Sequence, residues 1–214
     1  MNIKRSNKRS NKRSNNKRSN NMNLKKFNMI KKKYGHMSSW AVWSQYNPKK
    51  PKENMGDISF FENPKKDLLN KLNPNIVLVG LNISKHIPRD FGNFHPDYSD
   101  AQDYKTRYAT QGTILEGAYM TDVIKDFSEK ASGKMMKYLK ENKDFELKNI
   151  KSFEQELNDI GANNPILIAL GNDTYKILKR NLYDKYKIFK VTHYSAFINP
   201  DKYKQEYLDL IKKL

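Results

Sequence analysis

A chain of 214 residues with 37% hydrophobic and 12% aromatic residues can bury the core of one large domain, which excludes a chain disordered throughout. The absence of cysteine excludes disulfides, thiolate zinc sites, cysteine nucleophiles and Cys-ligated iron–sulfur clusters, and no run approaches the ~18 apolar residues of a membrane span. The formal charge of +18 is unevenly spread: residues 1–33 carry 13 of the 41 Lys and Arg and no acid, leaving 28 basic against 23 acidic residues, about +5, so charge alone is a weak argument for nucleic acid.

Lys-Arg-Ser-Asn repeats from Lys4 to Asn15 and again from Lys17 to Asn20. A tetrapeptide period presents no apolar face of helix or strand, so residues 1–33 are expected to be a solvated basic tail, with one domain over 34–214. The repeat reads either as a phosphate-binding arm giving salt-sensitive affinity or as a translated simple repeat. No apolar segment of secretory type follows the basic start, so a cytoplasmic location is expected.

Phe27 to Pro64 reads as irregular, with Trp40 and Trp43 expected to pack against a sheet edge. Pro64 to Leu72 is expected to be a short helix and Asn75 to Val79 a buried strand. After a long loop, Gly117 to Thr121 and Pro165 to Leu170 are the next strands; Ser152, with Gln155 three residues on, suggests a capping box opening a helix to Ile160. Asp173 to Leu182 is expected to be helical, Tyr186 to Val191 a fourth strand and Pro200 to Leu214 a closing helix.

Strands alternating with helices imply a three-layer α/β/α fold around a four-stranded, mainly parallel sheet. In such sheets ligands bind beyond the carboxyl ends of the strands. Here those ends lead into Gly80 to Ser84, Thr121-Asp122, Gly171 to Asp173 and Thr192 to Ser195, all four rich in small or polar groups. Asn82 could orient a water or a substrate carbonyl, or simply cap a turn; His193 could donate to a developing oxyanion, or be a satisfied structural histidine. Asp122 reads either as a second acidic group facing the cleft or as the N-cap of the helix that follows, the cap being preferred. No phosphate-loop spacing, Gly-x-Ser-x-Gly elbow or paired histidines occur: His36, His86, His95 and His193 are scattered, so neither metal nor cofactor is expected.

An apolar strand ending in Gly80-Leu81-Asn82-Ile83-Ser84, then Asp90-Phe91-Gly92-Asn93-Phe94-His95-Pro96, and a later strand ending in His193-Tyr194-Ser195, resembles the uracil-DNA glycosylase superfamily, closest to its mismatch-specific and single-strand-selective branches. The overlap spans roughly residues 74–200. Ile83-Ser84 stands where those branches carry Pro-Gly, and Tyr194 where they carry proline.

The resemblance implies a base-excision DNA repair hydrolase that flips a base of single-stranded or mismatched DNA and acts as a monomer without a cofactor. It places Asn82 at the hydrolytic water and His193 at the departing base. It lines the base pocket with Gly80, Leu81, Phe91, Asn93 and Phe94, and sets Ser84, Lys85, Arg89 and Ser195 against DNA phosphates. A non-catalytic nucleic-acid or nucleotide binder with the same fold is the alternative, and a protein-binding surface around Trp40 and Trp43 a third reading.

Overall fold

The computed structural model describes residues 22–125 and 127–214. In chain order these form α1 (Leu24–Tyr34), β1 (Ser38–Trp40), a 3-10 turn (Ser59–Phe61), α2 (Lys66–Lys71), β2 (Asn73–Asn82), α3 (Tyr104–Thr110) and β3 (Ala118–Ile124). There follow α4 (Ser132–Glu141), α5 (Lys143–Asp159), β4 (Ile166–Leu170), α6 (Asn172–Leu182), β5 (Lys187–Val191) and α7 (Pro200–Ile211). No helix among the described residues is long and apolar enough to cross a membrane.

The mixed α/β class is as expected, but the sheet has five strands, ordered β1-β3-β2-β4-β5. Strands β2 to β5 run parallel, and β1 adds an antiparallel edge to β3, with Trp40 opposite Tyr119. Alternation along each strand divides the core between two faces. Val77, Val79, Tyr119, Leu167 and Ala169 pack under α1, α2, α4, α5 and α6. Leu78, Met120, Ile168 and Leu170 pack under α3 and α7. Both tryptophans are core residues: Trp40 meets Tyr119 edge-on at 4.9 Å between ring centres, and Trp43 stacks on His95 at 4.9 Å.

Two expectations are corrected. The fold is under way by Met22, so the boundary at residue 34 falls too late: α1 buries Phe27, Ile30 and Tyr34 while its lysines face outward, and Asn23 caps it by accepting from Lys26 N at 2.9 Å. The Lys-Arg-Ser-Asn repeat lies outside the described residues. Ser152 is exposed in the middle of α5 rather than at a cap, because the stripe of Asn149, Ile150, Phe153, Glu156 and Leu157 runs unbroken past it.

Phe27→Ala is expected to cost about 3–5 kcal/mol in urea unfolding, the usual price of emptying a buried phenylalanine site. An unchanged midpoint would return α1 to the tail.

Candidate functional site

Alternation also decides what the carboxyl end of the sheet presents. Counting on from Leu78 and Met120, the positions facing α3 and α7 are Gly80 and Asn82 on β2 and Asp122 on β3. Above them lie two adjoining cavities of about 350 and 400 Å³. Asn82, Ser84, Asp122 and Tyr194 line both; the loop from Ile83 to Tyr98 closes the first, and Gly171 to Thr174, His193 and Ser195 wall the second.

Asp122 lies within β3, only 3% exposed, and is not the helix cap that its neighbours suggested. It is register partner to Gly80, and a Cβ on Gly80 would come within 2.2 Å of Asp122 Oδ1 and 3.2 Å of Phe94 Cζ. The glycine therefore makes room for both. Asn93 Nδ2 donates to Asp122 Oδ2 at 2.8 Å, while among the described residues Oδ1 receives no hydrogen bond. Burial pushes the Asp122 carboxyl up to about 6, against the pull of Asn93 and Lys125.

A second acid, Asp103, lines the first cavity just before α3 and is 5% exposed. Burial lifts its carboxyl to about 7, against its own backbone N–H and the Tyr194 hydroxyl; the charge of Asp122 adds to the rise.

Asn82 spends both amide protons on the loop after β3, donating to Phe127 O at 3.2 Å and Glu129 O at 2.8 Å. Only its Oδ1 remains, as an acceptor on the shared wall. His193 presents the complementary group. Its Nδ1 accepts from the backbone N–H of Ser195 at 3.2 Å and contacts Ser195 Oγ at 2.7 Å, so the proton of the neutral ring sits on Nε2. Burial lowers the imidazole to about 4 and so keeps it neutral near pH 7. Gly171, at φ +96, fits close beneath, since a Cβ there would meet His193 Cβ at 3.2 Å.

The structure thus gathers Gly80, Leu81, Asn82, Asp122, His193 and Ser195 around the second cavity, and Asn93 and Phe94 around the first. Phe94 is held at φ +64 in the cavity wall. Phe91 is corrected: at φ +60 it turns inward and is fully buried against Phe27 and Phe61, at 5.4 and 5.3 Å between ring centres, away from either cavity. Asn93 lines the first cavity, with both amide protons given to Met37 O and Asp122 and its oxygen accepting from Phe94 N, so only that oxygen is left to meet a ligand.

Of the residues expected to meet phosphate, Ser84 is exposed at both cavities and Lys85 lies 3.5 Å over the Tyr98 ring. Arg89 donates to Gly56 O at 2.7 Å, and Ser195 is committed to His193. His95 is buried and pinned to Val42 O at 2.8 Å, fastening the loop rather than facing a ligand. Sequence reasoning passed over Asp103 and Tyr194 as site residues, and also Phe197, whose ring is wholly exposed at the tip of the loop after His193. That loop is anchored by Lys105 Nζ on Ala196 O at 3.0 Å. No family model, curated protein or solved structure matches the chain.

Two measurements check this electrostatic picture. In NMR titration His193 is expected to have its midpoint near 4, well below the ordinary ~6.5; a midpoint near 6.5 would mean an open, solvated ring. Asp103 is held above its unfolded value, so the stability it contributes is complete below about pH 4 and is lost as pH rises through about 7. Asp103→Asn, which mimics the protonated acid, is expected to gain thermal stability over the parent at pH 8 relative to pH 4.

Proposed function

We propose that the protein is a hydrolase of N-glycosidic bonds that acts on a base rotated out of single-stranded or mismatched DNA. The observation that carries this reading is the pairing of leftover groups at one cavity: an acceptor on Asn82 and a neutral N–H donor on His193. Cleaving such a bond requires a water aimed at C1′ of the sugar and a donor toward the base, where negative charge accumulates. Asn82 Oδ1 accepts from the water; the water oxygen bonds to C1′ as the C1′–N bond breaks, the base leaves with the electron pair, and the proton shed by the added water passes to solvent. His193 Nε2–H donates to a base oxygen, and the departing base is protonated by solvent. A neutral imidazole serves here as a fixed dipole that stays matched to charge developing in the transition state.

The surroundings support a flipped-base substrate. Phe94 offers a ring beside the cavity for a base to pack on, and Phe197 an exposed apolar side chain of the kind that replaces an extruded base in the stack. Lys85, Lys130 and the hydroxyls of Ser84 and Ser132 lie around the rim within reach of a phosphate backbone. Location in the cytoplasm and action as a monomer belong to the same reading.

Incubation with end-labelled oligonucleotides carrying single uracil, cytosine or adenine sites, followed by alkali, tests it. Alkali-labile sites should form, and His193→Ala should lower kcat by about 10²- to 10³-fold, as loss of one donor to a developing anion does. Phe197→Ala should weaken duplex binding by about tenfold or more while sparing single strands. Tight binding with no abasic site in any context would leave a nucleic-acid binder, the reading favoured by the commitment of both Asn82 amide protons to the loop.

A further inference from the structure

The reading just given leaves the base unspecified, and the wall of the cavity bears on it. A base is distinguished by the pattern of donors and acceptors along its edge. The amide of Asn93 has no free donor to offer, as both its N–H groups go to Met37 O and Asp122 Oδ2, and its oxygen already accepts from Phe94 N. What faces the space above Gly80 is Asp122 Oδ1, an oxygen without a donor among the described residues, in a side chain that is almost wholly buried. That oxygen is not sealed off from the cavity, so a ligand can reach it, and an N–H placed there is matched where a carbonyl oxygen is not.

A uracil edge would bring O4, N3–H and O2: one donor between two acceptors. Set against a carboxylate oxygen, O4 is repelled. A cytosine edge brings an amino group at C4 and keeps an oxygen at C2. The sheet order puts two strands, β2 and β4, between β3 and β5, so Asp122 and Val191 stand ~14 Å apart, three strand spacings, and His193 lies two residues past Val191. That gap accommodates one pyrimidine between the two side chains, its amino group toward Asp122 and its O2 toward His193 Nε2–H. Adenine supplies the amino group too, but its acceptors are ring nitrogens on a larger, two-ring base.

Resting on the glycosidic reading of this site, we infer that Asp122 selects a 4-aminopyrimidin-2-one, cytosine or a 5-substituted cytosine, in preference to uracil.

The experiment uses the full chain and single-stranded oligonucleotides identical except for one cytosine, uracil or adenine, with excision followed by alkali and binding of free cytosine and uracil followed by NMR line shifts. Cytosine is expected to lead uracil by about 10- to 100-fold in kcat/KM, the discrimination of one or two good base contacts. Asp122→Asn, close to isosteric and able to donate, is expected to invert the order. Uracil used as well as or better than cytosine by the parent protein overturns the inference and leaves the glycosylase reading standing, as does an Asp122→Asn protein with an unchanged ratio. Free cytosine bound ahead of uracil, with no base excised, supports Asp122 as the selector and sinks the hydrolytic reading instead. Should Asp122→Asn fail to fold, the ranking by the parent protein decides alone.

Discussion

Glu156 on α5 has no accessible surface, yet three side chains of β3 and its exit converge on its carboxylate. Tyr119 and Thr121 donate to Oε1 at 2.7 and 2.9 Å, and Lys125 Nζ stands 2.8 Å from Oε2 as an ionic contact. Removing one partner of such a buried pair leaves an uncompensated charge and costs about 3–5 kcal/mol, so the cluster fixes β3 against α5 with little freedom to rotate. Lys125 also holds Asp122 O at 2.7 Å, and its backbone N–H donates to Asn149 of α5 at 2.9 Å. With Tyr119 and Thr121 committed to one face, Met120 and Asp122 must take the other. The aim of the carboxylate in the cavity is thus set by contacts on the opposite side of the sheet.

The other side of the cavity is built by backbone conformations that side chains avoid. Phe91 and Phe94 both sit at positive φ, three residues apart, at a cost of order 1–3 kcal/mol each. The loop is over-determined enough to hold them: Phe91 N donates to Gly35 O at 2.7 Å, His95 N to Gly92 O at 3.0 Å, and the buried His95 ring is fastened between Val42 and Asn93. One phenylalanine goes into the core under α1 and the other lines the cavity, so the first anchors the loop that positions the second. Gly80 completes the arrangement by leaving a space where any other residue would displace Asp122 or Phe94.

The strands were legible because burial on both faces writes them as uninterrupted apolar runs, Ile76 to Val79 and Ile166 to Leu170 above all. Their carboxyl ends followed from the parallel fold, which is why Asn82 and His193 could be paired from sequence alone. Helix α1 was hidden by its lysines, although Phe27, Ile30 and Tyr34 keep helical spacing beneath them. Strand β1 is three residues long, too short for alternation to register. For Asp122 the cleft-facing reading holds and the preferred cap does not: an acid after an apolar run usually ends a strand, and the continuation through Val123 and Ile124 carries this one on. The commitment of the Asn93 amide protons and the turn of Phe91 depend on contacts across the fold, from Met37 and Phe27, that no local pattern encodes.

The charges of the protein divide the work that the proposed reading requires. A chain of net charge +18 attracts a polyanion, and that attraction is long-ranged and salt-sensitive. The cavity itself carries the opposite sign, with Asp103 and Asp122 buried in its walls and titrating near neutrality, so a phosphate entering it would meet repulsion in a low-dielectric space. Under the proposed reading backbone and base are then sorted by charge: the phosphates would stay at the rim with Lys85 and Lys130, and an uncharged group rich in N–H donors would descend toward Gly80. A wholly basic pocket would bind the strand more tightly but would hold the phosphate where the base has to be. On the proposed reading, the two carboxylates would lower the affinity for nucleic acid as a whole and raise it for one end of one base, a trade by which a mildly basic domain would discriminate among the bases of a uniformly charged strand.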